Sequence, residues 1–285
     1  MSLIAISGST GFVGSNLTAS LKKEGHQIIP LTRADFRKDA QEMASEIEGA
    51  EVLIHLAGAP IIKRWSKSYK DEIYHSRVDT THLLVEAMKK MREKPSLFIS
   101  TSAIGVYEDG QEHTEESSAF SEDFMGVVCN DWEANARLAP PEVRTVIFRL
   151  GMVLGRDGGA LKTMLPIFKA GLGGKIGSGK QGFSWIHLHD LINAYHFVME
   201  KESLKGVFNL TAPQPVSNKE FTRQLAKTLN RPAIFPVPES GLKIVYGEGA
   251  QALTSGAFVR PKRLNQESFK FEYPTLPKAL QDLLK

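Results

Sequence analysis

At 285 residues and 42% hydrophobic, the chain has enough apolar material to bury a real core, which excludes a disordered chain and allows one large α/β domain or a major domain with a smaller appendage. Its 35 Lys plus Arg against 32 Asp plus Glu leave a formal net charge of +3, too weak a field for dedicated nucleic-acid binding. A single cysteine cannot close an intramolecular disulfide, no signal-type apolar core follows a basic lead, and no run of about 18 apolar residues occurs, so the expectation is a soluble, cytoplasmic protein with no membrane partner.

In chain order, low-polarity runs predict strands at residues 3–7, 27–31, 51–56, 96–101 and 143–150. Amphipathic stretches at 13–23, 68–91 and 124–138 predict helices between them. This alternation implies a parallel sheet with right-handed crossovers, a doubly wound α/β fold. Past Leu150 the composition changes: 155–159 and 171–182 are glycine-rich, and Pro213, Pro215, Pro232, Pro236 and Pro238 punctuate the C-terminal third. That composition reads as a smaller lobe of short elements. A strand-to-helix unit at 183–200 reads as returning to the large sheet. The expected division is therefore 1–150 with 183–205 for the main domain, and 151–182 with 206–285 for a C-terminal substrate lobe.

The sharpest motif is Gly8-Ser9-Thr10-Gly11-Phe12-Val13-Gly14, between the first strand and the first helix. Glycines there permit a tight turn, close backbone approach to a pyrophosphate and close helix–strand packing, and the helix start offers free N–H groups to the phosphates. This is the dinucleotide-binding arrangement of a Rossmann-type fold. Roughly 20 residues on, Arg33 stands where an arginine pairs with the 2′-phosphate of NADP, while Asp35 would serve the ribose of NAD. NADP is the expected cofactor, with NAD the alternative.

With these glycines in place, His55-Leu56-Ala57-Gly58-Ala59 and Ser100-Thr101-Ser102-Ala103 close the later strands. Lys63-Arg64-Trp65, Ser76-Arg77-Val78, Cys129-Asn130-Asp131-Trp132-Glu133, Gly177-Ser178-Gly179-Lys180-Gln181, Ser184-Trp185-Ile186-His187 and Arg231-Pro232 come after them. Nearly end to end, the chain resembles the extended short-chain dehydrogenase/reductases. Its nearest likeness is their atypical epimerase-family branch (NAD-dependent epimerase/dehydratase-like), whose C-terminal domain of unknown function corresponds to residues from Ala212 onward. The resemblance implies that Leu56, Ala57 and Gly58 line the cofactor's ribose and pyrophosphate, and that Ser102 takes the catalytic serine's position. It also implies that Gln181, Trp185 and His187 line the substrate pocket. Arg64 and Trp65, at the cleft mouth, are further candidates for ligand contact.

One departure is chemical. The family pairs a tyrosine with a lysine four residues on, whose charge favours the tyrosinate for proton transfer. None of the six tyrosines here has that lysine; the expected helix carries Cys129 and Glu133 instead. Two readings of Cys129 stay open, a thiol acid/base beside Glu133 or an ordinary buried cysteine. Tyr107, just beyond Ser102, is the alternative phenol. His187-Leu188-His189-Asp190 lacks a second ligand cluster, so no metal is expected and Asp190 reads as a helix-start residue. The expectation is an NADP(H)-binding oxidoreductase or epimerase-like enzyme acting on an unidentified small molecule, a nucleotide-sugar being the family's habit. The alternative is a non-catalytic NADP(H)-binding regulatory or redox-sensing protein. Oligomeric state is open.

Overall fold

A computed structural model describes all residues from Met1 to Lys285. The first half alternates as expected: β1 (Leu3–Ser7), α1 (Phe12–Lys23), β2 (Gln27–Leu31), α2 (Ala40–Glu46), β3 (Val52–His55), α3 (Lys67–His75), α4 (Val78–Lys90) and β4 (Leu97–Ala103). The short β5 (Glu112–His113), α5 (Phe124–Ala136) and β6 (Arg144–Leu150) follow. Next come β7 (Met152–Leu154), α6 (Gly159–Lys169), β8 (Gly182–Phe183), β9 (Trp185–His187), α7 (Leu188–Glu200) and β10 (Gly206–Leu210). The chain ends with β11 (Val216–Ser217), α8 (Asn218–Thr228), α9 (Glu239–Tyr246), α10 (Gln251–Thr254), β12 (Phe258–Val259), α11 (Lys262–Gln266) and α12 (Leu276–Leu284).

Six strands form one parallel sheet in the order β10-β6-β4-β3-β1-β2. Its residues alternate between two apolar layers. Ile4, Ile6, Ile54 and Ile99 pack with Leu17 and Leu21 of α1 and with Leu191, Ala194 and Val198 of α7. Ala5, Leu53 and Phe98 face α2, α4 and α5 on the other side. Both faces being covered explains why the strands read as unbroken apolar runs. The chain reverses direction across the sheet between β1 and β3, whose last residues Ser7 and His55 are register partners. Ligands of open α/β sheets bind in the crevice above such a point.

Three expectations need correction. The stretch 68–91 is two helices, because Ser76 accepts the Ala59 N–H at 2.9 Å and Arg77 reaches back to carbonyls of Ile73 and Ala59, drawing the chain onto the loop after β3. The main domain extends past 205, since β10 is the sheet's sixth strand, paired with β6. The strand of the returning unit, β9, pairs with β7 outside that sheet. The short helix α2 had no periodicity to reveal it; a capping box between Asp39 and Glu42 holds it. The second lobe has its own core, in which Phe221 and Leu225 of α8 meet Leu276, Leu280 and Leu283 of α12 around Trp185.

Candidate functional site

The three loop glycines are required for different reasons. Gly8 has φ +71°, and a Cβ there would lie 2.9 Å from backbone atoms of Leu56 and Ala57. A Cβ on Gly14 would lie 2.1 Å from the Gly8 carbonyl oxygen. Gly11 is exposed, with an ordinary φ of −72° and one neighbour at 3.3 Å. Nothing in the protein demands glycine at position 11; the demand comes from whatever approaches it. The helix it opens has no side-chain cap and no acid in its first turn, and the amides of Phe12, Val13 and Gly14 have no acceptor in the protein. Uncapped N–H groups at the positive end of a helix dipole suit a phosphate. The dinucleotide's pyrophosphate therefore fits this cradle. Ser9 and Thr10 form the turn itself. Val13 packs onto the sheet core, and the Phe12 ring turns away into a slot between Gly155, Gly158 and Gly159, where added Cβ atoms would strike it. Phe12 and Val13 thus offer a ligand their amides.

At the end of β2, Asp35 is already committed. Its carboxylate accepts from the Thr32 N–H at 2.7 Å and Oγ1 at 2.8 Å and pairs with Lys38 at 2.8 Å, which lowers its pKa to about 2, the Lys38 bond being the largest cause. The carboxylate that the NAD alternative needs is spent on its own turn. Arg33 is exposed and makes no ion pair or side-chain hydrogen bond, so its guanidinium is free for a phosphate.

The turn Leu56-Ala57-Gly58 is locked from below. Ser7 Oγ accepts the amides of Leu56 at 3.1 Å and Ala57 at 3.2 Å, so its own hydrogen goes to His55 Nδ1 at 2.5 Å. That assigns the proton of the ring to Nε2, which faces Thr80 Oγ1 at 3.2 Å. Burial pushes His55 down to about 3, so the ring is neutral and serves as a rigid spacer. Behind Gly58 lies the Arg77 guanidinium, 3.0 Å from where a Cβ would stand.

The four catalytic candidates part company. Ser102, next to last in β4, is the register partner of Arg149; its hydroxyl is buried beside the Cys129 thiol and makes no well-formed hydrogen bond. Cys129 has no exposed surface and packs among Ile73, Val106 and Val128. Burial, reinforced by Glu133, pushes its thiol up to about 12, against the weaker opposing pull of Arg77, the Ala103 backbone and the Ser102 hydroxyl. Glu133 is not the thiol's partner. Its carboxylate accepts Arg149 Nε at 2.6 Å and Nη2 at 2.8 Å, and Arg137 Nη2 at 2.8 Å. Tyr107 is equally committed: its ring stacks on His113, Arg149 donates to its hydroxyl at 2.8 Å, and that hydroxyl donates to Asn209 at 2.9 Å. Burial raises its pKa, with Arg149 and Asn209 opposing. The helix face expected to carry a proton-transfer pair instead anchors a buried chain, Arg137–Glu133–Arg149–Tyr107–Asn209, linking α5, β6 and β10.

The substrate-side candidates also divide. Trp185 is fully buried in the second core, and His187 stacks on Tyr273 at 3.8 Å and faces Asp282, so neither lines an open pocket. Asp190 lies in the first turn of α7, but His187 caps that helix, while Asp190 receives the amides of Glu272 and Tyr273. Arg64 donates to the carbonyl of Ile244 at 2.6 Å, Trp65 is buried and bonds Ile61, and Gln181 donates to Ile176 and Leu253 carbonyls. Arg64 and the Trp65 backbone tie α9 to the loop after β3. The residues that sequence reasoning left without a role are Arg77, Arg149 and Asn209. Charged Arg149 inside an apolar strand was a legible signal, since a strand covered on both faces has to pair such a charge.

The sequence profile of the NAD-dependent epimerase/dehydratase family matches residues 4–211, and that of a domain of unknown function, DUF1731, matches residues 237–283. The chain belongs to the NAD-dependent epimerase/dehydratase family. Among its family relatives, an Arabidopsis thaliana protein named epimerase family protein SDR39U1 homolog, chloroplastic, is 35% identical, with 99% of this chain and 86% of that protein covered. The crystal structure of human epimerase family protein SDR39U1 (isoform 2) with NADPH superposes with a TM-score of 0.91 at 33% identity, covering 99% of this chain and 98% of that one. A nucleoside-diphosphate sugar epimerase from Corynebacterium glutamicum superposes with a TM-score of 0.79 at 30% identity, covering 99% of this chain and 58% of the longer protein. No helix is long and apolar enough to cross a membrane, and no cluster of His, Cys, Asp and Glu has metal-ligating geometry.

Proposed function

We propose that this epimerase-family chain binds NADP(H) and acts as an oxidoreductase or epimerase on a small molecule held between the sheet and the C-terminal lobe. The observation that carries the reading is the uncapped start of α1 at Gly11, with its three free amides, together with the unpaired Arg33 at the end of β2. In this reading the α1 amides hold the pyrophosphate, Arg33 pairs with the 2′-phosphate, and the Ser7–His55 lock holds Leu56 to Gly58 beneath the ribose. The nicotinamide supplies hydride chemistry when bound. Ser102, at the carboxyl end of β4, is the group proposed to hold the substrate's reacting oxygen, since its buried hydroxyl has only the weakly accepting Cys129 sulfur beside it and makes no well-formed hydrogen bond. Cys129 stays a protonated thiol behind it. The nucleoside-diphosphate sugar epimerase among its relatives makes a nucleotide-sugar the first substrate class to try, and the cytoplasm is the proposed compartment. The test is calorimetry with NADPH and NADH, followed by turnover of a nucleotide-sugar and carbonyl panel. NADPH should bind more tightly, Arg33→Ala should remove most of that preference, and Ser102→Ala should keep binding while cutting turnover by about 10²–10⁴. Equal affinity for the two cofactors would sink the NADP assignment.

The commitment of Tyr107 and Glu133 to structure favours a second reading, a non-catalytic NADP(H)-binding regulator. Tight NADPH binding with no turnover on any panel member, and no effect of Ser102→Ala beyond stability, would decide for it.

A further inference from the structure

Arg77 sits at the break between α3 and α4 and is only 7% exposed. Its guanidinium donates to the Ala59 carbonyl at 2.9 Å, the Ile73 carbonyl at 3.1 Å and Ser76 Oγ at 3.4 Å, and stacks over the Trp132 ring at 5.4 Å. No carboxylate pairs with it. The other buried arginine on this side, Arg149, shares Glu133 with Arg137, so that carboxylate has no charge to spare. The Ile73 carbonyl, near the negative end of the α3 dipole, and the face of Trp132 offset only part of a unit charge. An unpaired guanidinium in such a place is unfavourable relative to an apolar side chain of the same length, so packing alone is a poor reason for an arginine here.

Its position points to the reason. The guanidinium lies directly behind Gly58, 3.0 Å from where a Cβ would stand, and Gly58 closes the turn proposed to line the cofactor. Trp132, on which it stacks, lies one helical turn beyond Cys129, whose thiol neighbours Ser102.

We infer that Arg77 is an uncompensated cation under the cofactor site that biases the bound dinucleotide toward its reduced form, NADPH over NADP⁺. The inference rests on the NADP(H) reading above. The oxidised nicotinamide carries a positive charge and the reduced ring carries none, so a fixed cation in the floor repels one and not the other. At an effective dielectric near 20, a unit charge within about 10 Å alters such an equilibrium by roughly an order of magnitude. By linkage the ratio of the two dissociation constants sets the potential of the bound couple, and a tenfold ratio raises it by about 30 mV.

The experiment measures dissociation constants for NADPH and NADP⁺ with the unmodified protein, Arg77→Lys and Arg77→Met. The unmodified protein should bind NADPH about tenfold more tightly. Arg77→Lys, which keeps the charge and loses the fork of hydrogen bonds, should weaken both ligands yet keep the ratio within about twofold; Arg77→Met should bring the ratio close to one. A structural role alone would weaken both ligands in parallel, and an unchanged ratio in Arg77→Met overturns the inference. So does a ratio of one in the unmodified protein, which can be read even where Arg77→Met does not fold. Failure of the unmodified protein to bind either dinucleotide is a different result, and it rejects the cofactor reading itself.

Discussion

Glu133→Ala is the perturbation that most directly separates a catalytic Glu133 from a structural one. The carboxylate is 1% exposed and accepts a two-pronged ion pair from Arg149, itself 3% exposed. Burial alone would depress the Arg149 guanidinium's pKa; the Glu133 carboxylate and the Tyr107 hydroxyl outweigh that and raise it instead. Removing the carboxylate therefore leaves a desolvated cation without a counter-charge, which costs about 3–5 kcal/mol. It also releases one side of the Arg149 guanidinium, which donates to the Tyr107 hydroxyl that in turn donates to Asn209. Urea unfolding followed by tryptophan fluorescence should show the midpoint falling with the slope unchanged. The double variant Glu133→Leu with Arg149→Met, apolar at both positions, should recover most of the loss, because the desolvation penalty then disappears with the charges. NADPH binding to folded Glu133→Ala should stay within a few-fold of the unmodified protein. A loss below about 1 kcal/mol would mean that water reaches this pair and that the buried chain is not what the geometry describes. A stable variant that loses turnover alone would return Glu133 to the catalytic list.

Gly11→Val should fold with a penalty of about 1 kcal/mol or less, since its backbone is extended and its one close neighbour lies at 3.3 Å, while losing NADPH; Gly14→Ala, with a Cβ 2.1 Å from the Gly8 oxygen, should lose stability as well. Unchanged NADPH affinity in folded Gly11→Val would refute the phosphate-loop reading. Iodoacetamide should modify Cys129 slowly at neutral pH, because the thiol has no exposed surface and stays protonated, and NADPH should slow it further. Rapid modification insensitive to NADPH would put the thiol outside the cofactor cleft. The folded pKa of His55 lies below its unfolded value of about 6.5, so the unfolded chain takes up the proton first; its contribution to stability is complete above pH 6.5 and is lost as pH falls toward about 3, at about 1.4 kcal/mol per unit. Urea midpoints between pH 7 and pH 5 should fall less steeply in His55→Gln; identical slopes would show that His55 titrates normally.

What was legible in the sequence was what periodicity and local spacing encode. The apolar runs located five of the sheet's six strands, and Gly8, Gly11 and Gly14 located the crevice, because both signals lie within a few consecutive residues. The sixth strand, β10, was missed: its five residues include Gly206 and a buried Asn209, and only its distant partner β6 gives them meaning. The committed partners were invisible for the same reason. Glu133 and Arg149 are 16 positions apart and Tyr107 and Asn209 are 102 apart, separations at which sequence carries no geometry.

The same distinction explains why Cys129 and Glu133 misled. Four residues apart on a helix means one shared face, which made the two a plausible thiol and carboxylate pair. Sharing a face does not mean sharing a target. Cys129 meets Ser102 and the Ala103 backbone near the top of β4, while Glu133, one turn lower, finds the arginine on β6 that an otherwise apolar strand had to pair. With Arg149 on β6, a carboxylate at the helix position opposite it offsets a buried charge, and Glu133 is held there by two hydrogen bonds from that guanidinium. With Glu133 and Tyr107 held in the buried chain, the proposed proton-transfer group lies on the strand side of the cleft, at Ser102. That is why Ser102→Ala, with cofactor binding retained, is the variant that separates an enzyme from a sensor.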